Sequence, residues 1–99
     1  MQNEKWYKIV IPINEILNAL KLHGELTKVL LQMEPKKGIV PVSYLSKMGN
    51  TVYLIPKGTV NLYPNLLRNY PKILVSDSLE NIIAEDTVDG LYEAIDVDI

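Results

Sequence analysis

The chain of 99 residues contains no cysteine and no phenylalanine, and it has one histidine, one tryptophan and one arginine. The lack of cysteine excludes disulfide frameworks, thiolate zinc sites, iron–sulfur clusters and a cysteine nucleophile. With a single histidine, His23, we expect no metal and no other cofactor. No secretion signal opens the chain and no apolar run reaches the ~18–20 residues of a membrane span, so we expect a cytoplasmic protein without membrane contact.

Charge divides the chain into three blocks. Residues 1–34 carry four lysines and four glutamates, residues 35–76 carry six basic residues and no acid, and residues 77–99 carry eight acids and no base. The net charge of −2 therefore hides a dipolar chain. This pattern favours an anionic partner for the basic middle block, or docking of the acidic C-terminal block on it.

Composition predicts one folded domain. Apolar residues make up 47% and charged residues 22% of the chain, which is ample material for a core at this length. The apolar residues are mostly aliphatic, and the six tyrosines are expected at the surface or at an interface rather than in the core.

The N-terminal third predicts one strand and two helices. Lys5 to Ile11 is rich in β-branched and aromatic residues and predicts a strand. Asn14 can cap a first helix, which Gly24 interrupts. A second helix is expected from about Glu25 until Pro35 ends it.

The middle of the chain is less uniform. Residues 39–48 contain Ile39, Val40 and Val42, which favour a strand, whereas Pro41 can also open a helix. We favour the strand. The pattern from Thr51 to Tyr63 predicts a β-hairpin whose loop is Pro56-Lys57-Gly58.

The remaining residues predict a turn, a strand, a helix and a final strand. A short turn or helix is expected through Leu66, Leu67 and Tyr70, and then a strand over Lys72 to Val75. Asp77 and Glu80 have the spacing of a capping box for a helix that carries Leu79, Ile82 and Ile83.

At the C-terminus, Ile95, Val97 and Ile99 alternate with aspartates, as in a half-buried strand. The edge of such a strand needs a neighbour, either the N-terminal strand or a second copy, which leads to the hypothesis of an interlocked homodimer. The expected fold is a single α+β domain with N-terminal helices, a central antiparallel hairpin and a C-terminal helix plus strand.

Part of the chain resembles winged helix-turn-helix domains. His23-Gly-Glu-Leu-Thr27 is similar to the entry of their second helix, and Val42-Ser-Tyr-Leu-Ser-Lys-Met48 is similar to their recognition helix. Thr51 to Tyr63 would then be the wing, and the resemblance covers Leu20 to Tyr63. It implies a protein that binds DNA as a dimer.

A second resemblance uses overlapping residues. Ser46-Lys-Met-Gly-Asn-Thr, followed by Val-Tyr-Leu-Ile-Pro-Lys57, is similar to the glycine and Ile-Pro-Lys signature of AbrB-like swapped-hairpin regulators. This family also binds DNA as a dimer. The two resemblances require different structures for residues 41–48, so at most one of them holds.

The candidate DNA contacts are the cations of the middle block, to which Tyr44 or Tyr53 could add contacts. They could neutralise phosphates of double-stranded DNA, although a solvated surface would have the same composition. The candidate contact residues are Lys36, Lys37, Lys47, Lys57 and Arg68.

No phosphate loop, calcium loop or catalytic constellation is present, so we expect a non-enzymatic protein. The alternative to DNA binding is a protein-interaction or host-inhibitory module whose acidic C-terminal region engages a basic protein partner. The composition also resembles that of small proteins of filamentous or rod-shaped archaeal viruses. That resemblance implies heat and acid tolerance and action inside the host cell.

Overall fold

The computed structural model describes residues 5–32 and 40–95, which contain three helices and a five-stranded antiparallel sheet. The α+β fold class is therefore confirmed. The strand order is β4-β1-β3-β2-β5, and all four neighbouring pairs are antiparallel. The elements in chain order are β1 (Lys5–Ile11), α1 (Ile16–Gln32), β2 (Val42–Leu45), β3 (Thr51–Pro56), α2 (Lys57–Leu62), β4 (Ile73–Ser76), α3 (Leu79–Asp86) and β5 (Glu93–Ala94).

The sheet has a hydrophobic cluster on each face. Strand β1 is confirmed, and its alternation sends Ile9 to the face covered by α1, called the α1 face, and Trp6 to the face covered by α3, called the α3 face. The central strand β3 is buried on both faces, with Tyr53 on the α1 face and Leu54 on the α3 face. Because both faces of β3 are buried, its sequence is almost continuously apolar.

The predicted pair of N-terminal helices is wrong, because α1 is one helix that passes through Gly24. Its buried stripe consists of Ala19, Leu22, Leu26 and Leu30 and extends on both sides of that glycine. Burial of the stripe outweighs the cost of glycine in a helix interior, about 1 kcal/mol. The cap also differs, because the carbonyl of Glu15, not a group of Asn14, accepts the first helical bond, from the N–H of Ala19.

The predicted hairpin over Thr51 to Tyr63 is wrong beyond Pro56. Strand β3 already has β1 on one side and β2 on the other, so a returning strand has no edge to pair with. The chain instead enters α2, with Pro56 at its N-cap position at φ −56°. Val60 of this short helix joins the cluster on the α1 face.

The hairpin that forms lies one strand earlier in the sequence. The favoured strand is confirmed at Val42–Leu45, and it returns into β3 through the loop of residues 46–50. Gly49 adopts φ +83° in that loop, a conformation that glycine takes without steric cost. The N–H of Ser46 donates to the carbonyl of Asn50 at 2.9 Å and closes the loop.

The C-terminal helix is confirmed, with its cap shifted by one residue. The Ser78 hydroxyl, rather than Asp77, accepts a hydrogen bond from the N–H of Asn81. The predicted last strand lies mostly outside the described residues, which end at the buried Ile95. The two residues of β5 that precede it pair with β2 of the same chain, not with β1.

Candidate functional site at the edge of strand β2

The predicted DNA contacts are spread over the molecule. Lys36 and Lys37 lie outside the described residues. Lys47 is exposed in the β2–β3 loop, whereas Lys57 is half-buried at the start of α2. These two are separated by the length of β3, about 17 Å for five residue steps. Arg68 is exposed in the turn that follows α2.

Two tyrosines predicted as surface contacts are buried instead. Tyr44 and Tyr53 are each 5% exposed, on opposite faces of the sheet. The Tyr53 hydroxyl donates to the Ala19 carbonyl at 3.3 Å, and its ring meets the edge of His23. Both tyrosines therefore hold helices on the sheet, and the exposed tyrosine of the C-terminal region is Tyr92.

The acidic C-terminal block docks on the sheet through α3. Ile82 and Ile83 enter the cluster on the α3 face, beside Val42 and Leu54 of the middle block. Docking of the C-terminal block on the middle block, one of the two outcomes predicted from charge, is thus present. The contact between these blocks is mainly apolar.

A polar contact fixes the end of α3. Lys8 Nζ lies 3.0 Å from Asp86 Oδ2, and the Tyr44 hydroxyl donates a hydrogen bond to the same oxygen. Burial by itself would raise the pKa of Asp86, but the hydrogen bonds from Tyr44 and Lys8, with the charges of Lys8 and Lys47, outweigh burial and lower it. Burial first, and then the bond to Asp86, raises the pKa of Tyr44 far above 10.

The backbone of Asp86 also reaches the sheet. Its carbonyl accepts a hydrogen bond from the N–H of Lys47 at 2.8 Å, so the last residue of α3 is tied to the end of β2. At the other end of this edge, Ser43 pairs with Glu93, and the N–H of Ile95 donates to the Pro41 carbonyl at 2.8 Å. The outer edge of β2 is thus occupied at both ends.

Between these attachments the edge is open. Backbone groups along a strand point alternately to its two sides. The backbone N–H of Ser46 points toward β3, whereas the backbone groups of Ser43 and Lys47 point outward, away from β3. The N–H and C=O of Leu45 therefore also point outward, and within residues 40–95 no strand lies beside them.

A cleft of about 680 Å³ borders this open edge. One wall is β2 and its loop, and the other is the segment from Thr87 to Glu93. Exposed apolar side chains line it: Leu45, Val88, Leu91 and Tyr92. Two acids, Asp89 and Glu93, face Lys47 across the same opening. The cleft joins a free backbone edge, apolar side chains and an excess of negative charge.

Within the described ranges, no group of three or more histidines or carboxylates is placed to hold a metal ion. No helix in the same ranges is long and apolar enough to cross a bilayer. No protein family, curated protein or solved structure matches this chain.

Proposed function

We propose that the protein is a non-enzymatic recognition module that binds a short extended segment of a basic protein partner in the cleft beside β2. The open backbone edge at Leu45 is the observation that carries this proposal. A peptide strand placed there would accept a hydrogen bond from the N–H of Leu45 and donate one to the C=O of Leu45. It would fill the gap between β5 and the end of α3. The acidic C-terminal region then acts as one wall of the site.

The cleft also specifies the chemistry of the segment. In an extended peptide, alternate side chains point to opposite sides. One set would pack on Leu91 and Tyr92, while the other would carry lysine or arginine toward Asp89 and Glu93. Aromatic and aliphatic anchors of this kind supply most of the binding energy in protein interfaces, and charge supplies selectivity.

The test uses five-residue peptides labelled with a fluorophore, in which valine and lysine alternate. We expect saturable binding by fluorescence anisotropy and slower hydrogen exchange at the Leu45 amide. A peptide with glutamate in place of lysine should bind at least about tenfold more weakly, equivalent to about 1.4 kcal/mol. A peptide with a central proline, which lacks the N–H, should also bind weakly.

Variants locate the site. Leu91→Lys should abolish binding, because it removes an apolar anchor and adds a cation that repels the peptide lysines, whereas Glu80→Lys, at an exposed acid on the first turn of α3, should leave binding unchanged. Equal binding by the lysine and glutamate peptides, or unchanged exchange at Leu45, would reject the proposal.

Dimeric binding of double-stranded DNA is the second candidate, because Lys47 and Arg68 are exposed and neither forms an ion pair within the described residues. Retention on DNA should then fall steeply with salt, and Lys47→Glu and Arg68→Glu should each weaken it. The matched control is Lys5→Glu, at an exposed lysine at the start of β1. No retention at low salt, or equal effects of all three substitutions, would reject this candidate.

A further inference from the structure

Helix α1 carries a second apolar stripe that the sheet does not cover. Its members Ile16, Leu17, Leu20 and Leu31 are between 63% and 72% exposed. At 100° per residue, this stripe is centred about 130° around the helix from the buried one. The charged side chains of the helix occupy the remaining sector, and they are Lys21, Glu25 and Lys28.

The spacing of this stripe is that of a helix–helix seam. Leu17, Leu20, Gly24, Thr27 and Leu31 follow one another at intervals of three, four, three and four residues, as in a coiled-coil heptad. Ile13, four residues before Leu17 in the preceding turn and 72% exposed, continues the series. No charged residue interrupts it.

We infer that two copies of the chain form a homodimer by pairing their α1 helices antiparallel along this stripe. From Leu17 to Thr27 the intervals are three, four and three, which read the same in both directions, so these four residues meet one another in one register. Leu17 of one copy lies opposite Thr27 of the other, Leu20 lies opposite Gly24, and Leu31 lies toward the turn that carries Ile13. A two-fold interface requires this kind of self-complementarity.

The presence of glycine at position 24 favours pairing of the helices over a stripe that is simply exposed to solvent. Among residues 5–32 and 40–95, a side-chain carbon added at Gly24 would meet nothing within 4 Å, and the φ of Gly24 is not positive, so neither packing nor backbone geometry in these ranges requires glycine. Glycine is nevertheless disfavoured in a helix interior. In the antiparallel register, Gly24 of each copy leaves a hole that receives Leu20 of the other copy. This contact occurs twice, at the centre of the seam.

The size of the stripe fits a dimer interface. The four members of the stripe and Ile13 together expose on the order of 500 Å², a large part of the ~800 Å² per partner that stable interfaces bury. The surface continues at its N-terminal end, where Ile13 Cδ1 would lie 3.8 Å from a carbon added at Gly49. Met48, the neighbour of Gly49, is 84% exposed and adds to the area.

The first test is the mass in solution, measured by sedimentation equilibrium over the micromolar range. We expect a dimer for the native chain and a monomer for Leu20→Glu. The matched control, Leu62→Glu, changes an aliphatic side chain of similar exposure on α2 and should remain dimeric. A monomeric native chain, or a dimer that survives Leu20→Glu, would overturn the inference.

The register can be tested by disulfide cross-linking, because the chain has no cysteine of its own. Leu17→Cys combined with Thr27→Cys should give a covalent dimer on mild oxidation. Within one helix these positions are about 15 Å apart, too far for an internal bond. Each single variant should stay uncrosslinked, and efficient cross-linking of either one alone would contradict the antiparallel register.

The variant Gly24→Ala distinguishes the proposed dimer from a stripe that is exposed but has no partner. The added methyl group favours the helix, so the melting temperature of dilute monomer should rise. The same methyl group fills the hole for Leu20, so the dimer should dissociate at about tenfold higher concentration. A rise in melting temperature with no loss of dimer would count against the inference.

Discussion

The two faces of the sheet are held by different kinds of contact. On the α1 face, a helix of 17 residues contributes four fully or largely buried side chains to a cluster that also draws on β1, β3 and the turn after α2. On the α3 face, a helix of eight residues contributes Ile82 and Ile83 to the buried cluster, and its end is fixed by the contacts of Asp86.

This difference separates stability from position. The free energy gained by burying apolar surface is roughly proportional to the buried area and does not depend on direction. A long apolar stripe therefore supplies most of the free energy of folding. Helix α3 has a smaller apolar contact, made by Ile82 and Ile83 with the partly buried Leu79. The bonds from Lys8, Tyr44 and Lys47 to Asp86 fix one end, and the candidate cleft begins at that end.

The largest effect is expected from the α1 face. Leu26→Ala removes a side chain with 0% exposure and should reduce the free energy of unfolding by about 3–4 kcal/mol, whereas Ile83→Ala on the α3 face should cost about 2–3 kcal/mol. Urea denaturation measures both. The control Leu62→Ala, at an exposed position, should change the value by less than about 0.5 kcal/mol. A larger loss for Ile83→Ala than for Leu26→Ala would reverse the comparison.

Local signals predicted the elements whose partners lie close in sequence or whose composition is distinctive. Strand β1 follows from its β-branched and aromatic residues, and α3 follows from its apolar residues and the capping pattern at Asp77 and Glu80, although the cap is Ser78. The hairpin after Pro56 was wrong because Pro-Lys-Gly is compatible with both a turn and a helix start. Which one forms depends on β1 and β2 occupying both sides of β3, and no local pattern contains that information.

The next effect tests the polar contact of the α3 face. Asp86→Asn should lower the free energy of unfolding by roughly 1–2 kcal/mol at neutral pH, because a hydrogen-bonded and partly buried charge is lost. The folded chain lowers the pKa of Asp86, so this stabilisation is present above its usual value of 3.8 and is lost as the pH falls through the lower folded value. The native chain and Asp86→Asn should therefore converge in strong acid.

Urea denaturation of both chains between neutral and strongly acidic pH measures this convergence. Glu85→Gln is the matched control, because Glu85 is an exposed neighbour on the same helix. A constant difference between the native chain and Asp86→Asn at every pH would show that the charge of Asp86 does not stabilise the fold. Acid and heat tolerance of the whole chain stays a prediction, and the pH at which this contact is lost is one limit on it.

The candidate site was less predictable than the fold. Tyr44 and Asp86 are 42 positions apart, and their contact depends on α3 crossing the face of the sheet. The open edge at Leu45 depends on β5 being only two residues long. The one relevant signal was the separation of acidic and basic blocks, which predicted either an anionic partner for the middle block or docking of the C-terminal block on it, but not a cleft beside it.

The smallest change in the free energy of unfolding is expected when one buried polar group is removed from each face. Trp6 is 3% exposed on the α3 face, and its indole N–H has no acceptor within the described residues. Trp6→Phe removes a donor whose burial costs about 1–3 kcal/mol but also loses apolar contact of similar value, so the free energy of unfolding should change by less than about 1 kcal/mol. Tyr53→Phe on the α1 face removes a hydroxyl that donates to Ala19, and it should cost about 0.5–1.5 kcal/mol. A loss above about 2 kcal/mol for Trp6→Phe would contradict this near-cancellation of the two contributions.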